Sequence, residues 1–155
     1  SEIYKAKENV NSIAHAHPMY GKTFSTLGKM LDPISQDSCA FYERTAIFAD
    51  YDGVANGPDE GINIAKALGD KEFCILQNHG ILTTGSMVDT AVWYFLNMED
   101  ACKSQLLAEA VGEPKIIPHE TACATRDYVA NDLSAYVSFQ PTIDVLWEEE
   151  PDLLD

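Results

Sequence analysis

His15 and His17 stand two residues apart in the stretch NSIAHAHPMYGKTF, and the 155-residue chain holds only two more histidines. A neutral imidazole is the side chain most often recruited to bind a transition metal. On a strand, residues i and i+2 leave the same face, with roots close enough to share one ion. The pair alone fits a polar strand face equally well. His79, in LQNHGIL, adds a third imidazole between two apolar runs. Its competing reading is a turn histidine in left-handed geometry, which histidine tolerates. Three histidines at the ends of β-like runs point to convergence on one edge of a sheet. Three such donors with an open coordination position form the pattern of a catalytic divalent metal, zinc or another transition ion. His119, in IPHETAC, has no ligand spacing and reads as a surface loop residue.

These side chains need elements to carry them. VNSIAHAH alternates with a period of two, placing Asn11, Ile13, His15 and His17 on one face. Pro18 then ends the strand, because it has no backbone N–H to donate. MYGKTFSTLGKML reads as a short amphipathic helix closed at Gly28. The next thirty residues are irregular, with a strand at TAIFA and Asp, Gly and Pro clusters marking turns. GPDEGINIAKALGD is a helix: Pro58 lies early, Asp59 and Glu60 suit the positive end, and Gly69 stops it. FCILQNHGILTTG predicts strand, tight turn, strand.

The longest periodic segment begins at Ser86. Val88, Ala91, Val92, Phe95, Met98, Ala101, Cys102 and Leu106 mark its apolar stripe. Ser86 with Asp89 suggests a capping box at its start, and Gly112 and Pro114 end it. A further helix is expected within ETACATRDYVANDLSAYVSF. The acidic tail TIDVLWEEEPDLLD is expected to be a packed strap or a mobile end.

Ten basic residues against twenty-five acidic ones give a formal charge of −15. That surface repels phosphate backbones and anionic lipid, so nucleic acid and membrane are excluded as expected partners. Cys39, Cys74, Cys102 and Cys123 show no CxxC and no disulfide framework, which suits reduced thiols and a cytoplasmic setting. No apolar run approaches the about 20 residues of a membrane span. The opening SEIYKAKENV lacks Met and a signal-peptide pattern, and is expected to be the tail of a helix in a larger product.

Three stretches in order carry a resemblance: VNSIAHAHPMYGKTFSTLG, DPISQDSCAFY, and GINIAKALGDKEFCILQNHGILTTGSMVDTAVWYFLNMEDACKSQLLAEA. Together they resemble the class II aldolase/adducin domain, from about Glu2 to Ala110. The resemblance implies a three-layer α/β/α fold around a mostly antiparallel sheet, of the class II aldolase type. It implies one domain over 1–155, lacking its N-terminal portion, with 113–155 as a C-terminal extension packed on it. By the same resemblance His15, His17 and His79 are ligands of one divalent metal ion, with zinc the expected occupant. The implied function is a metal-dependent lyase that cleaves a C–C bond, by aldol chemistry or decarboxylation, through a metal-stabilised enediolate. Its substrate would be a small hydroxy-carbonyl or sugar-derived molecule, and its assembly a homo-oligomer, commonly a tetramer. The alternative is an adducin-like scaffold or oligomerisation domain without catalysis. The family's acid/base glutamate and its phosphate loops would fall before Ser1, so the catalytic residues remain unassigned. Tyr20 and Tyr42 match the family's assisting tyrosine by residue type alone.

Overall fold

The computed structural model describes residues 2–50 and 58–154. Four strands form one sheet: β1 (Ser12–Ala16), β2 (Thr45–Phe48), β3 (Phe73–Leu76) and β4 (Gly80–Gly85), in the order β1-β4-β3-β2. The β1–β4 and β3–β4 pairs are antiparallel and β2–β3 is parallel, so the sheet is mixed and mostly antiparallel. The parallel pair needs a crossover, and α3 (Pro58–Leu68) supplies it. The turns expected within residues 51–57 lie outside the described residues.

Alternation along the strands divides the interior in two. Phe73, Ile75 and Ile81 join Phe24, Phe41, Tyr94 and Met98 in one apolar cluster. Cys74, Leu76 and Leu82 join Ile3, Val10, Phe48 and Leu68 in the other. The first cluster is covered by α2 (Met19–Ser25) and α4 (Val88–Val111), the second by α1 (Glu2–Ala6) and α3. Because β3 and β4 are buried on both faces, their sequences read as nearly continuous apolar runs rather than alternating ones. The result is the expected three-layer α/β/α arrangement.

Several local expectations shift. The buried stripe of α4 runs through Thr90, Ala91, Tyr94, Met98, Ala101, Cys102 and Gln105, while Val88 is exposed. Ser86 does not cap α4; its hydroxyl donates to Asp132 at 2.6 Å. The reach-back bond comes from Thr90, whose Oγ1 accepts from the Met87 N–H at 3.2 Å. Gln105 is fully buried yet satisfied: its amide donates to Asp32 at 2.7 Å and Glu109 at 2.8 Å, and its oxygen accepts from the Asp32 N–H. It pins the extended segment that follows α2.

The single expected C-terminal helix is two, α5 (His119–Val129) and α6 (Asp132–Glu149), with Asn131 capping the second through the Ser134 N–H. The acidic tail is neither strap nor loose end through Glu149. It continues α6, which packs on α4, and closes in a 3-10 turn over Pro151–Leu154.

Candidate metal centre

β1 and the β3–β4 turn bring His15, His17 and His79 together. Ring centroids are 5.2 Å apart for His15–His17, 5.0 Å for His15–His79 and 4.5 Å for His17–His79. One donor nitrogen from each ring lies within 4.8 Å of the other two. His15 pairs across the ladder with Leu82, so it belongs to the sheet face covered by α1 and α3. Burial falls along β1, from Ser12 in the core to Ala16 in solvent, so the imidazoles emerge where the strand leaves the protein interior. That leaves the cluster approachable from outside.

Local chemistry fixes how the rings are presented. His15 Nδ1 lies 2.9 Å from the Ile81 carbonyl, which can only accept, so Nδ1–H donates and Nε2 keeps its lone pair. Burial, and then His15 and His17, hold the His79 imidazole below its usual pKa, with Glu60 opposing. A neutral ring is the ligating form. Gly80 permits the close approach of the two histidine-bearing segments: a Cβ there would stand 2.5 Å from the Ala16 carbonyl oxygen and 3.2 Å from His17 Cδ2. The left-handed residue of the turn is Asn78 (φ 58°), not His79, so the histidine is spared that strain. Nitrogen-only donors, one with its tautomer set by a carbonyl, in a cluster open to solvent, fit a divalent transition ion.

Two supports were not readable from spacing. Glu99 of α4 accepts from the Tyr20 N–H at 2.9 Å and the Gly21 N–H at 2.5 Å, holding the first turn of α2 directly after His17 and Pro18. Glu60 of α3 is near enough for its charge to act on His79. The acidic residues at the start of α3 were visible as a helix signal, but only tertiary packing shows what they face. Among the thiols, burial pushes Cys74 and Cys102 up to about 12, with Glu99 adding to the rise at Cys102, so neither serves as a nucleophile at neutral pH. His119 is exposed as expected but opens α5 instead of lying in a loop, and it sits beside Glu43 and Cys123. A cavity of about 710 Å³ with Tyr42, Glu43, Lys71 and Arg126 in its wall includes none of His15, His17 and His79.

Residues 1–106 match the family described as Class II Aldolase and Adducin N-terminal domain. The chain is 37% identical over 153 residues to Decarboxylase NovR of Streptomyces niveus, covering 99% of this chain and 57% of NovR. It is also 37% identical to the 4-hydroxy-3-prenylphenylpyruvate oxygenase/4-hydroxy-3-prenylbenzoate synthase of Streptomyces roseochromogenus subsp. oscitans, covering 99% of this chain and 55% of that enzyme. The solved L-fuculose 1-phosphate aldolase of Glaciozyma antarctica PI12 superposes with a TM-score of 0.86 at 39% identity, covering 97% of this chain and 57% of that one. The chain thus spans about half the length of the curated relatives it matches. Among the described residues, no helix is long and apolar enough to cross a membrane.

Proposed function

The chain belongs to the class II aldolase and adducin family, and from that premise we propose that His15, His17 and His79 hold one divalent metal ion, zinc, in a lyase site. The reaction is C–C bond cleavage, retro-aldol or decarboxylating, in a small hydroxy-carbonyl or sugar-derived substrate. A bound divalent ion supplies Lewis-acid stabilisation of negative charge developing on a substrate oxygen. The observation that supports this reading is the convergence of three imidazoles from two separate segments, each ligand atom within 4.8 Å of the others. His15 donates from Nδ1–H to the Ile81 carbonyl, which leaves the lone pair of its Nε2 for a metal. His17 and His79 are brought to it by the close β1–β4 contact at Gly80. The charge of Glu60 opposes the lowering of the His79 pKa, and Glu60 has no assigned proton-transfer role. The names of the similar proteins, a decarboxylase and an aldolase, agree with the reaction class.

The runner-up is an adducin-like scaffold, which the family's own description admits. A scaffold has no physical need to keep three ligands converged, and this places the enzyme reading first. Purified full gene product, prepared without chelator, should carry one equivalent of divalent metal that His15→Ala and His79→Ala each remove. Elemental analysis finding no metal removed by either substitution would overturn the site. Metal that is retained, but with no turnover of any hydroxy-carbonyl or β-keto acid, would favour the scaffold.

A further inference from the structure

A second group of metal-ligating side chains lies on other elements. His119 opens α5 and Cys123 follows four residues later, so both leave one face of that helix, a turn apart. Glu43 reaches them from the turn before β2, where it adopts a left-handed backbone (φ 60°) that few glutamates take. Cys123 Sγ lies 3.7 Å from Glu43 Oε2 and 3.8 Å from each His119 ring nitrogen. His119 Nδ1 lies 3.8 Å from Glu43 Oε1.

Those separations are informative. Zinc–sulfur bonds of about 2.3 Å and zinc–nitrogen or zinc–oxygen bonds of about 2.0–2.2 Å, at tetrahedral angles, set ligand atoms roughly 3.3–3.7 Å apart. With one ligand atom from each residue within 4.8 Å of the other two, modest side-chain adjustment brings all three onto one ion. They are also held from behind, as ligands usually are. The Tyr42 hydroxyl lies 3.2 Å from His119 Nδ1 and can accept from its N–H, which leaves Nε2 as the donor beside Cys123. Arg126 Nη1 donates to Glu43 Oε2 at 3.2 Å, orienting the carboxylate while Oε1 faces His119.

We propose that Glu43, His119 and Cys123 form a second cation site, for a borderline-soft divalent transition ion such as zinc. A thiolate and an imidazole disfavour magnesium and calcium, which take oxygen ligands. Thiolate and carboxylate together carry −2, of which Arg126 on Glu43 offsets one, so the site remains anionic toward an incoming cation. On binding, the Cys123 S–H bond breaks, a metal–sulfur bond forms and the proton goes to solvent; nothing is oxidised or reduced. His119 and Glu43 are half-exposed or more, so the remaining coordination position faces water. Glu43 lies within the stretch that matches the family and the other two lie beyond it. The ion would therefore fasten α5 to the turn before β2. This proposal is independent of the three-histidine site.

Cobalt(II) is the probe, because thiolate ligation gives an intense near-ultraviolet charge-transfer band that a purely histidine site lacks. Titration of the full gene product under a phosphine reductant should raise this band to saturation, with one cobalt ion at this site beyond any held by the three histidines, and release one proton per ion bound there. Cys123→Ser should remove the band and His119→Ala should weaken cobalt binding at this site at least tenfold. His15→Ala should leave the band intact. Glu43→Gln, a near-isosteric change at an exposed position, keeps the test open if a helix variant misfolds, and should also weaken binding at least tenfold. No thiolate band, a band that survives Cys123→Ser, or Glu43→Gln binding as wild type would overturn the proposal.

Discussion

Gly80 sets the distance between the two halves of the candidate centre, and its missing side chain matters more than its backbone freedom. Adding one carbon would place it 2.5 Å from the Ala16 carbonyl, a separation no real Cβ keeps. Backbone cannot yield as a flexible side chain can, so β1 and β4 must part where His17 and His79 meet. Gly80→Ala should therefore cost about 1–3 kcal/mol, the usual penalty for overpacking, and weaken metal binding at the three histidines at least tenfold. Urea denaturation and metal titration measure the two effects separately. Binding unchanged at reduced stability would show that the strands part without moving the imidazoles. At this scale the sequence was informative about His15 and His17, because a period of two assigns a face before any fold is known. It left open which residue of the turn is left-handed, since Asn, His and Gly of NHG all tolerate that geometry and spacing does not choose among them; the structure gives it to Asn78. Glu60 and Glu99 stayed hidden because their partners lie about 20 and 80 residues away in sequence, and only packing makes them neighbours.

At the level of elements, α2 shows how one buried contact positions another. It has only seven residues, too few to be stable alone, and no side chain of its own caps it. Its first free N–H groups, at Tyr20 and Gly21, are taken by the Glu99 carboxylate instead. A charged acceptor on a helix N-terminus also opposes the helix dipole favourably. Glu99→Ala leaves two partly buried donors without that acceptor and should destabilise the protein by about 1–3 kcal/mol. Because α2 follows His17 across one proline, the same change should loosen the end of β1 and the start of α2, read as faster amide exchange in the first turns of that helix. Exchange there equal to wild type would mean that packing on α4 alone holds the helix. The existence and type of nearly every element were legible from periodicity and from Gly and Pro punctuation. The buried stripe of α4 was legible at Ala91, Met98, Ala101 and Cys102 but not at Tyr94 and Gln105, whose burial rests on the Arg44 guanidinium over the Tyr94 ring and on Asp32 and Glu109 at Gln105, contacts that no hydrophobic pattern registers.

For the molecule as a whole, Arg44 is one of the groups that tie the C-terminal helices to the sheet, beside the Ser86–Asp132 bond and the packing of α6 on α4. It precedes β2, grips Glu72 through Nε and through Nη2 (2.7 Å to Oε1), and donates from Nη1 to the Ala130 carbonyl at 2.8 Å. Its guanidinium carbon lies 5.1 Å from the Phe73 ring centre and 5.5 Å from that of Tyr94. One side chain thus links β2, β3, α4 and the junction between α5 and α6. Lysine cannot reproduce this, since an ammonium has no planar fork to bridge a carboxylate and stack on two rings. Arg44→Lys should cost about 1–3 kcal/mol: more than an exposed pair is worth, because the arginine side chain is only 18% exposed, and less than a fully buried one, because Glu72 is 39% exposed and can rehydrate. The loss should not be spread evenly. Ala130 is the only link of the four that lies beyond α4, so amide exchange in α5 and α6 should quicken while the β3–β4 ladder, buried on both faces, keeps its protection. Equal acceleration in both regions would mean that the sheet and the C-terminal helices unfold as one unit. The same anchor fixes the floor on which Glu43 and α5 meet, so a selective loosening of α5 should also weaken cobalt binding at Cys123 while leaving the three histidines untouched.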